Sequence, residues 1–377
     1  MTQSPGLLLT ILAFAAVIGP LIFVHEMGHY LVGRWFGIKA DVFSIGFGRE
    51  IAGWTDKRGT RWKLSALPLG GYVKFAGDMN AGSQPSTEWL SLPAAERART
   101  FQAKPVWQRA LVVAAGPAVN FLAAFLILTA AAIAWGDERT PATVGGVYPG
   151  SAAARAGLAV GDRVTALGGR TIDSFKDLYI YVKMRPGELV RVDYVHAGQP
   201  VARDVTLGAE RLVDRFGNRS RLGLLGILPP TPVLVAVSPL QAPGVAIRQT
   251  GECLRFVTDT VGQLVSGRRS ISDMRGPVGM ARIAGEQASL GLIDYVFLIA
   301  LVSINLGFMN LLPVPMLDGG HLFFYAIEAV RRRPVGPEVQ EWAYRGGLAA
   351  LLALMLVVTF NDLGSLGLWK GLAGLIG

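Results

Sequence analysis

The sequence predicts a polytopic α-helical membrane protein of about four transmembrane helices, with a small membrane-associated β-sheet and a soluble β-rich domain inserted between the second and third spans. Three observations carry this reading. The composition, 51% hydrophobic and 17% charged over 377 residues with a mean hydropathy of +0.40, is more apolar and less charged than that of an ordinary globular chain. Four apolar stretches, near 6–30, 110–135, 292–312 and 346–360, approach or exceed the roughly 20 residues that cross a bilayer. Between them lie polar segments that alternate with the period of strands and are punctuated by glycine and proline.

The first span, 6–30, carries His25-Glu26-Met27-Gly28-His29 near its end. On a helix, positions i and i+4 share a face, so both imidazoles can reach one metal ion. Glu26 is rotated roughly 100° from His25, near enough to touch a metal-bound water without ligating the metal. Catalytic zinc takes three protein ligands and keeps one position open, which leaves a third ligand to find. Ionisable residues in a membrane-length apolar segment are costly and mark a functional site. Pro20, just before the motif, is expected to kink or open the helix. Residues 1–5 hold no Lys or Arg, so the segment lacks the basic start of a cleavable signal peptide and is expected to be retained.

Residues 34–109 are polar and basic. Within them 42–47, 62–67 and 71–75 read as strands, with a hairpin turn at Asp56-Lys57-Arg58-Gly59. Gly46, Gly48, Gly70 and Gly71 suggest bulges or close backbone approach. Such a sheet, directly after the metal motif, offers an edge to an extended peptide; a plain structural hairpin is the alternative. Residues 77–99 read as a polar loop. The second span, 110–135, is expected to be broken at Gly116-Pro117 and contains Asn120, which either faces the site or packs helices together.

Residues 137–229 form the soluble domain, about 90 residues with short strands and two small helices. It resembles a PDZ domain in its bacterial, circularly permuted form, through Pro149-Gly150-Ser151-Ala152-Ala153-Ala154-Arg155-Ala156-Gly157-Leu158 and Gly161-Asp162-Arg163-Val164. Residues 221–227, Gly223 among them, resemble the loop that binds a ligand carboxylate. Residues 245–265 have helical periodicity with charges between, reading as an amphipathic surface helix in preference to a short span. The third span, 292–312, contains Asn305 and Asn310. It leads into Pro313-Val314-Pro315-Met316-Leu317-Asp318-Gly319-Gly320-His321, where two prolines break the helix. A carboxylate at membrane depth needs a partner, and a metal already held by two histidines is one, so Asp318 is the candidate third ligand, with His321 competing. Residues 331–345 read as a basic loop before the last span, 346–360.

The formal charge of +9 sits in loops flanking apolar segments, and no basic helix or aromatic–basic motif stands out. Nucleic acid is therefore not an expected partner. The positive-inside rule places the basic loops 34–109 and 331–345 in the cytoplasm, and both termini and the soluble domain outside. The single cysteine, Cys253, excludes an internal disulfide and a cysteine zinc cage. The chain thus divides into 1–136, 137–230, 231–291 and 292–377.

Taken together these residues resemble the site-2 protease family of intramembrane zinc metalloproteases, in its bacterial regulator-of-sigma-E protease branch. The parts that carry the resemblance are the histidine motif, Pro68-Leu69-Gly70-Gly71-Tyr72-Val73-Lys74, Gly116-Pro117 with Asn120, the PDZ-like stretch, the Asp318 segment from Asn310 to His321, and Phe360-Asn361-Asp362. The resemblance implies zinc held by His25, His29 and Asp318, Glu26 as general base, and Asn305 and Asn310 in substrate handling. It also implies location in a bacterial inner membrane, and substrates that are single-span proteins, such as a trimmed anti-sigma factor, or signal-peptide remnants. The branch's familiar members have tandem PDZ domains, whereas this chain has room for one. Two rival classes are a non-catalytic membrane scaffold with a structural metal site, and a transporter, which would require inverted repeats that are not seen.

Overall fold

The computed structural model describes residues 6–78, 88–213, 219–266 and 276–365. The chain forms two compact units, one of 1–131 with 243–377 and one of 132–242.

The first unit begins with α1 (Leu7–Trp35), then β1 (Ala40–Thr55) and β2 (Arg61–Phe75), a single 3-10 turn (Glu88–Ser91), a one-turn α2 (Ala94–Arg97) and α3 (Val106–Trp135). Among the described residues, four helices are long and apolar enough to cross a membrane: Leu7–Trp35, Val106–Trp135, Leu292–Asn310 and Glu338–Gly364. Neither proline interrupts its span: α1 runs through Pro20 and α3 through Pro117. Each costs one main-chain bond, a loss that packed neighbouring helices tolerate in an apolar setting. The break expected at Gly116-Pro117 is corrected accordingly.

The two strands make a sheet of four ranks. Residues 42–45 pair with 71–74 on one side and with 61–64 on the other, and 61–64 pair again with 52–55. The outer ranks are thus 71–75 and 50–55. The chain doubles back at Gly46, φ +90°, where a Cβ would stand 2.8 Å from the Leu67 carbonyl. Phe43, fully buried, stacks on Trp62 at 4.4 Å, and Tyr30 of α1 meets both rings edge-on. That aromatic contact fastens the sheet to the helix carrying the histidines.

The hairpin turn lies where the sequence places it. The Asp56 carboxylate accepts from the amides of Arg58 and Thr60, 2.9 Å each, and from the Trp62 indole at 3.0 Å. The indole bond is the main cause holding this carboxyl below the ordinary carboxylate value, with the two amides adding to it against a desolvation that opposes. A lowered folded value means that the stabilisation is present above the unfolded value and lost as pH falls through the folded one. Trp62 fluorescence should therefore change in an acid titration, and Asp56→Asn should remove that transition. A titration unaltered by Asp56→Asn would assign it elsewhere.

The second unit follows α3 with β3 (Asp137–Arg139), β4 (Gly146–Val147), α4 (Ala152–Arg155), β5 (Arg163–Leu167), β6 (Arg170–Thr171), α5 (Phe175–Lys183), β7 (Leu189–His196), β8 (Gln199–Thr206), β9 (Gly208–Val213), β10 (Arg219–Leu224), β11 (Ile227–Leu228) and β12 (Val233–Val235). Four strands are ordered β6-β5-β7-β8, and β10-β9, β11-β4 and β12-β3 pair two by two. Val164, Leu167, Leu178, Val182, Val192 and Leu225 lead its core. Ser151 and Ser174 cap α4 and α5 by accepting from Ala154 and Asp177 amides. Gly223 is not in a loop. It pairs with Ala209 inside β10, and a Cβ there would meet the Val182 carbonyl at 2.0 Å. It is a packing glycine between β10 and the end of α5, and the loop expected there is corrected to a strand.

The chain returns as α6 (Ala242–Val265), α7 (Pro277–Leu290), α8 (Leu292–Asn310), α9 (Asp318–Arg331) and α10 (Pro337–Ser365). α6 buries Val245, Ala246 and Val257 while exposing Ile247 and Phe256, and is not among the membrane-length helices. α7, which periodicity does not reveal, packs Ala284 with Ala13, Val17 and Leu21 of α1 and with Leu298 and Val302 of α8. α10 starts within the expected loop 331–345, at Pro337, a residue suited to a first helical turn because the missing N–H would be unpaired there anyway.

Candidate functional site

The site is assembled from α1, α3, β2 and α9. The i, i+4 spacing puts His25 and His29 on one face of α1, with their Nε2 atoms 3.2 Å apart. α9 begins at Asp318, after the extended Leu317 and after Met316 at φ +80°, a conformation that non-glycine residues hold only when the surroundings impose it. Gly319 and Gly320 let this turn close: a Cβ would lie 2.2 Å from the Leu312 carbonyl at the first and 2.5 Å from the Val314 carbonyl at the second.

The result brings Asp318 Oδ2 to 3.2 Å from His25 Nε2 and 3.5 Å from His29 Nε2. That oxygen is buried yet has no partner in hydrogen-bond geometry. Among the described residues this trio is the one set of three or more candidate ligands that converge, their donor atoms within 4.8 Å. The donor set fits zinc. Bonds of about 2.0–2.1 Å in a tetrahedron give ligand–ligand edges of about 3.3 Å, matching the three separations. His29 also donates Nδ1–H to the Val112 carbonyl at 2.8 Å, leaving Nε2 with a free lone pair.

Glu26 is buried beside the two histidines, on the side of the outer rank of the sheet that holds Gly71. Gly71 has no room for a side chain: a Cβ would be 2.9 Å from Glu26 Cγ and 2.8 Å from Ile22. Gly70, φ +148°, lies against the Phe47 ring. Of the two glycines, it is Gly71 that the fold sets against Glu26.

His321 is one turn along α9 from Asp318 and outside the converging trio. Its Nδ1 is 2.8 Å from the Tyr344 hydroxyl of α10. Further along the same face, Tyr325 lies beneath the Arg109 guanidinium, which pairs with Glu328 at 2.7 Å. Asp318, His321, Tyr325 and Glu328 thus follow helical spacing down one side of α9, and three of them fix its rotation. Asn305 and Asn310 are half-buried in the last turns of α8. Neither hydrogen-bonds to His25, Glu26, His29 or Asp318.

Gly116 has a role that sequence reading misses. A Cβ on it would stand 2.3 Å from His29 Nε2 and 2.9 Å from His25 Cε1, so α3 forms one wall of the trio only because this position is bare. The signal was present as a glycine inside a span, but it reads equally as a helix break. Gly116→Ala is expected to weaken zinc binding by roughly tenfold or more, since displaced ligands lose their geometry. Zinc titration of the purified variant checks this, and unchanged affinity would remove Gly116 from the wall.

A family model described as peptidase family M50 matches residues 13–354. A provisionally named zinc metalloprotease of Agrobacterium fabrum is 44% identical over 361 residues, 94% of this chain and 96% of its own. A similarly named protein of Rhizobium meliloti is 41% identical over 359 residues, 94% and 96% of the two chains. Metalloprotease MmpA of Caulobacter vibrioides is 37% identical over 397 residues, 98% and 99%. Among solved structures, the PDZ domain of an SdrC-like protein from Listeria monocytogenes is 24% identical and covers 24% of this chain and 87% of that one, with a TM-score of 0.19.

Proposed function

The chain belongs to peptidase family M50 and is a zinc metalloprotease of the membrane, and on that premise we propose that it hydrolyses peptide bonds within the membrane-spanning segments of its substrates. The observation that carries this is the convergence of Asp318, at the start of α9, on His25 and His29 of the membrane-length α1, with Glu26 alongside. In this reading those three hold the zinc, which when bound polarises the scissile carbonyl and acidifies water. Glu26 takes the proton of the attacking water and returns it to the leaving amine. The bare Gly71 leaves room for the Glu26 side chain on the histidine side.

A helical substrate hides its carbonyls in i→i−4 bonds and must unwind to be cut. The outer rank of the sheet, 71–75, lies beside Glu26 and supports a second element of the reading: an unwound segment pairs along that edge. Asn305 and Asn310 are proposed to contact the substrate away from the metal ligands. The second unit is proposed to be a PDZ-like domain on the extracytoplasmic side of a bacterial inner membrane. Basic residues in the loops flanking the spans support that sidedness. There its bulk admits trimmed single-span proteins, of the anti-sigma-factor or signal-remnant kind, and rejects larger ones.

The test is cleavage of a fluorescent single-span substrate by the purified full-length chain, with chelator and then with zinc restored. Cuts mapping inside the span, abolished by chelator and recovered with zinc, are expected. Cuts confined to flanking loops would refute the intramembrane assignment.

A further inference from the structure

Asn120, on α3, is fully buried. Its amide nitrogen lies 3.0 Å from Nδ1 of His25, and its Oδ1 is buried with no hydrogen-bond partner. The two histidines are therefore held by different chemistry. His29 Nδ1 meets a main-chain carbonyl, which can only accept, so its ring proton is committed to Nδ1. His25 Nδ1 meets an amide, which donates from one end and accepts at the other.

The direction of that amide decides what His25 can do. With the NH2 toward the ring, Nδ1 is the acceptor and the ring proton sits on Nε2, the atom facing His29 and Asp318. A proton there blocks ligation. With the amide turned by half a rotation, Oδ1 accepts from Nδ1–H and Nε2 presents its lone pair. The turn breaks no bond at Oδ1, because Oδ1 has none. It leaves α3 in place too, since the Ser303 hydroxyl of α8 donates to the main-chain carbonyl of Asn120, 2.8 Å, and not to its side chain. The two orientations fill nearly the same volume, and the hydrogen-bond network selects between them.

We propose that Asn120 is the positioning residue for His25: in the zinc-loaded protein its Oδ1 accepts the Nδ1 hydrogen of His25 and so commits Nε2 to the metal. This rests on the metal centre proposed above. Asn120 does for His25 what the Val112 carbonyl does for His29, but through a side chain, so it can be removed by mutation. A ligand's outer partner fixes both its tautomer and its ring angle, and losing one costs metal affinity.

The zinc dissociation constant of the full-length chain in detergent, by competition with a coloured chelator, tests this. Asn120→Leu keeps the size and removes the acceptor, and is expected to bind zinc about 10–100-fold more weakly. Asn120→Asp only accepts, and is expected to bind within about threefold of wild type or more tightly, as carboxylate partners of ligating histidines do. A residue needed merely for packing would not separate the two. A second measurement needs no variant: in wild type with nitrogen-labelled histidine and NMR-active cadmium, the metal should couple to Nε2 of His25 while Nδ1 stays protonated. Wild-type affinity in Asn120→Leu, equal weakening in both variants, or coupling through Nδ1 of His25 overturns the proposal and leaves the centre standing. A wild-type chain that binds no zinc overturns the centre and this proposal with it.

Discussion

Glu26→Gln is expected to lower cleavage by at least about a hundredfold, the usual scale of a lost general base, while zinc content and unfolding temperature stay close to wild type. The substitution keeps the shape and keeps one side-chain oxygen as an acceptor. What it removes is the capacity to take a proton. It adds no volume either, which matters where a Cβ on Gly71 would already be 2.9 Å from this side chain. Asp318 is the other carboxylate at the histidines, and its Oδ2 is turned to both Nε2 atoms, so no second base stands in reserve. The measurement is turnover of a single-span substrate at saturating zinc, with metal content read on the same sample. Near-normal turnover in Glu26→Gln would take this residue out of the mechanism. Lost zinc would show instead that Glu26 helps to hold the metal.

Asp318→Asn should show the opposite signature, with metal lost first and activity lost in consequence. Zinc affinity is expected to fall by more than roughly a hundredfold, beyond the effect of an outer-shell change, because a charged ligand becomes a weakly coordinating amide. His321→Ala serves as the comparison. It deletes a partner of the Tyr344 hydroxyl on α10 and is expected to cost about 1 kcal/mol of stability with zinc affinity nearly intact. Metal analysis of the two purified variants decides between them. The reverse ordering would transfer the ligand role to His321 and would contradict the separations of 3.2 and 3.5 Å that single out Asp318.

The four membrane helices, the histidine pair, Glu26 and the Asp56 turn were legible in the sequence because each depends on residues close together in the chain. An apolar run long enough for a bilayer declares itself by length, and i, i+4 spacing places two imidazoles on one face of a helix whatever surrounds it. The position of Asp318 beside the histidines was legible too, through the cost of a carboxylate in an apolar setting, although His321 competed on sequence alone and only the start of α9 places it against Tyr344 instead. What the tertiary structure alone decided depends on which surface covers which. Periodicity shows that a helix has an apolar face but not its neighbour, so α7 lying along α1 stayed hidden. Alternation shows strands but not their order, so the interleaving of 42–45 between the two halves of β2 appeared only in the register. Glycines have no side chain to reveal their purpose: Gly116 read as a break and is a wall, while Gly223 read as a loop and is a strand pressed on α5. Gly116-Pro117 read as an interruption, yet α3 runs through it unbroken. Local sequence specifies each element and its chemistry, whereas the partner of each surface is settled by contacts between residues as far apart as Asn120 and His25, which no local pattern encodes.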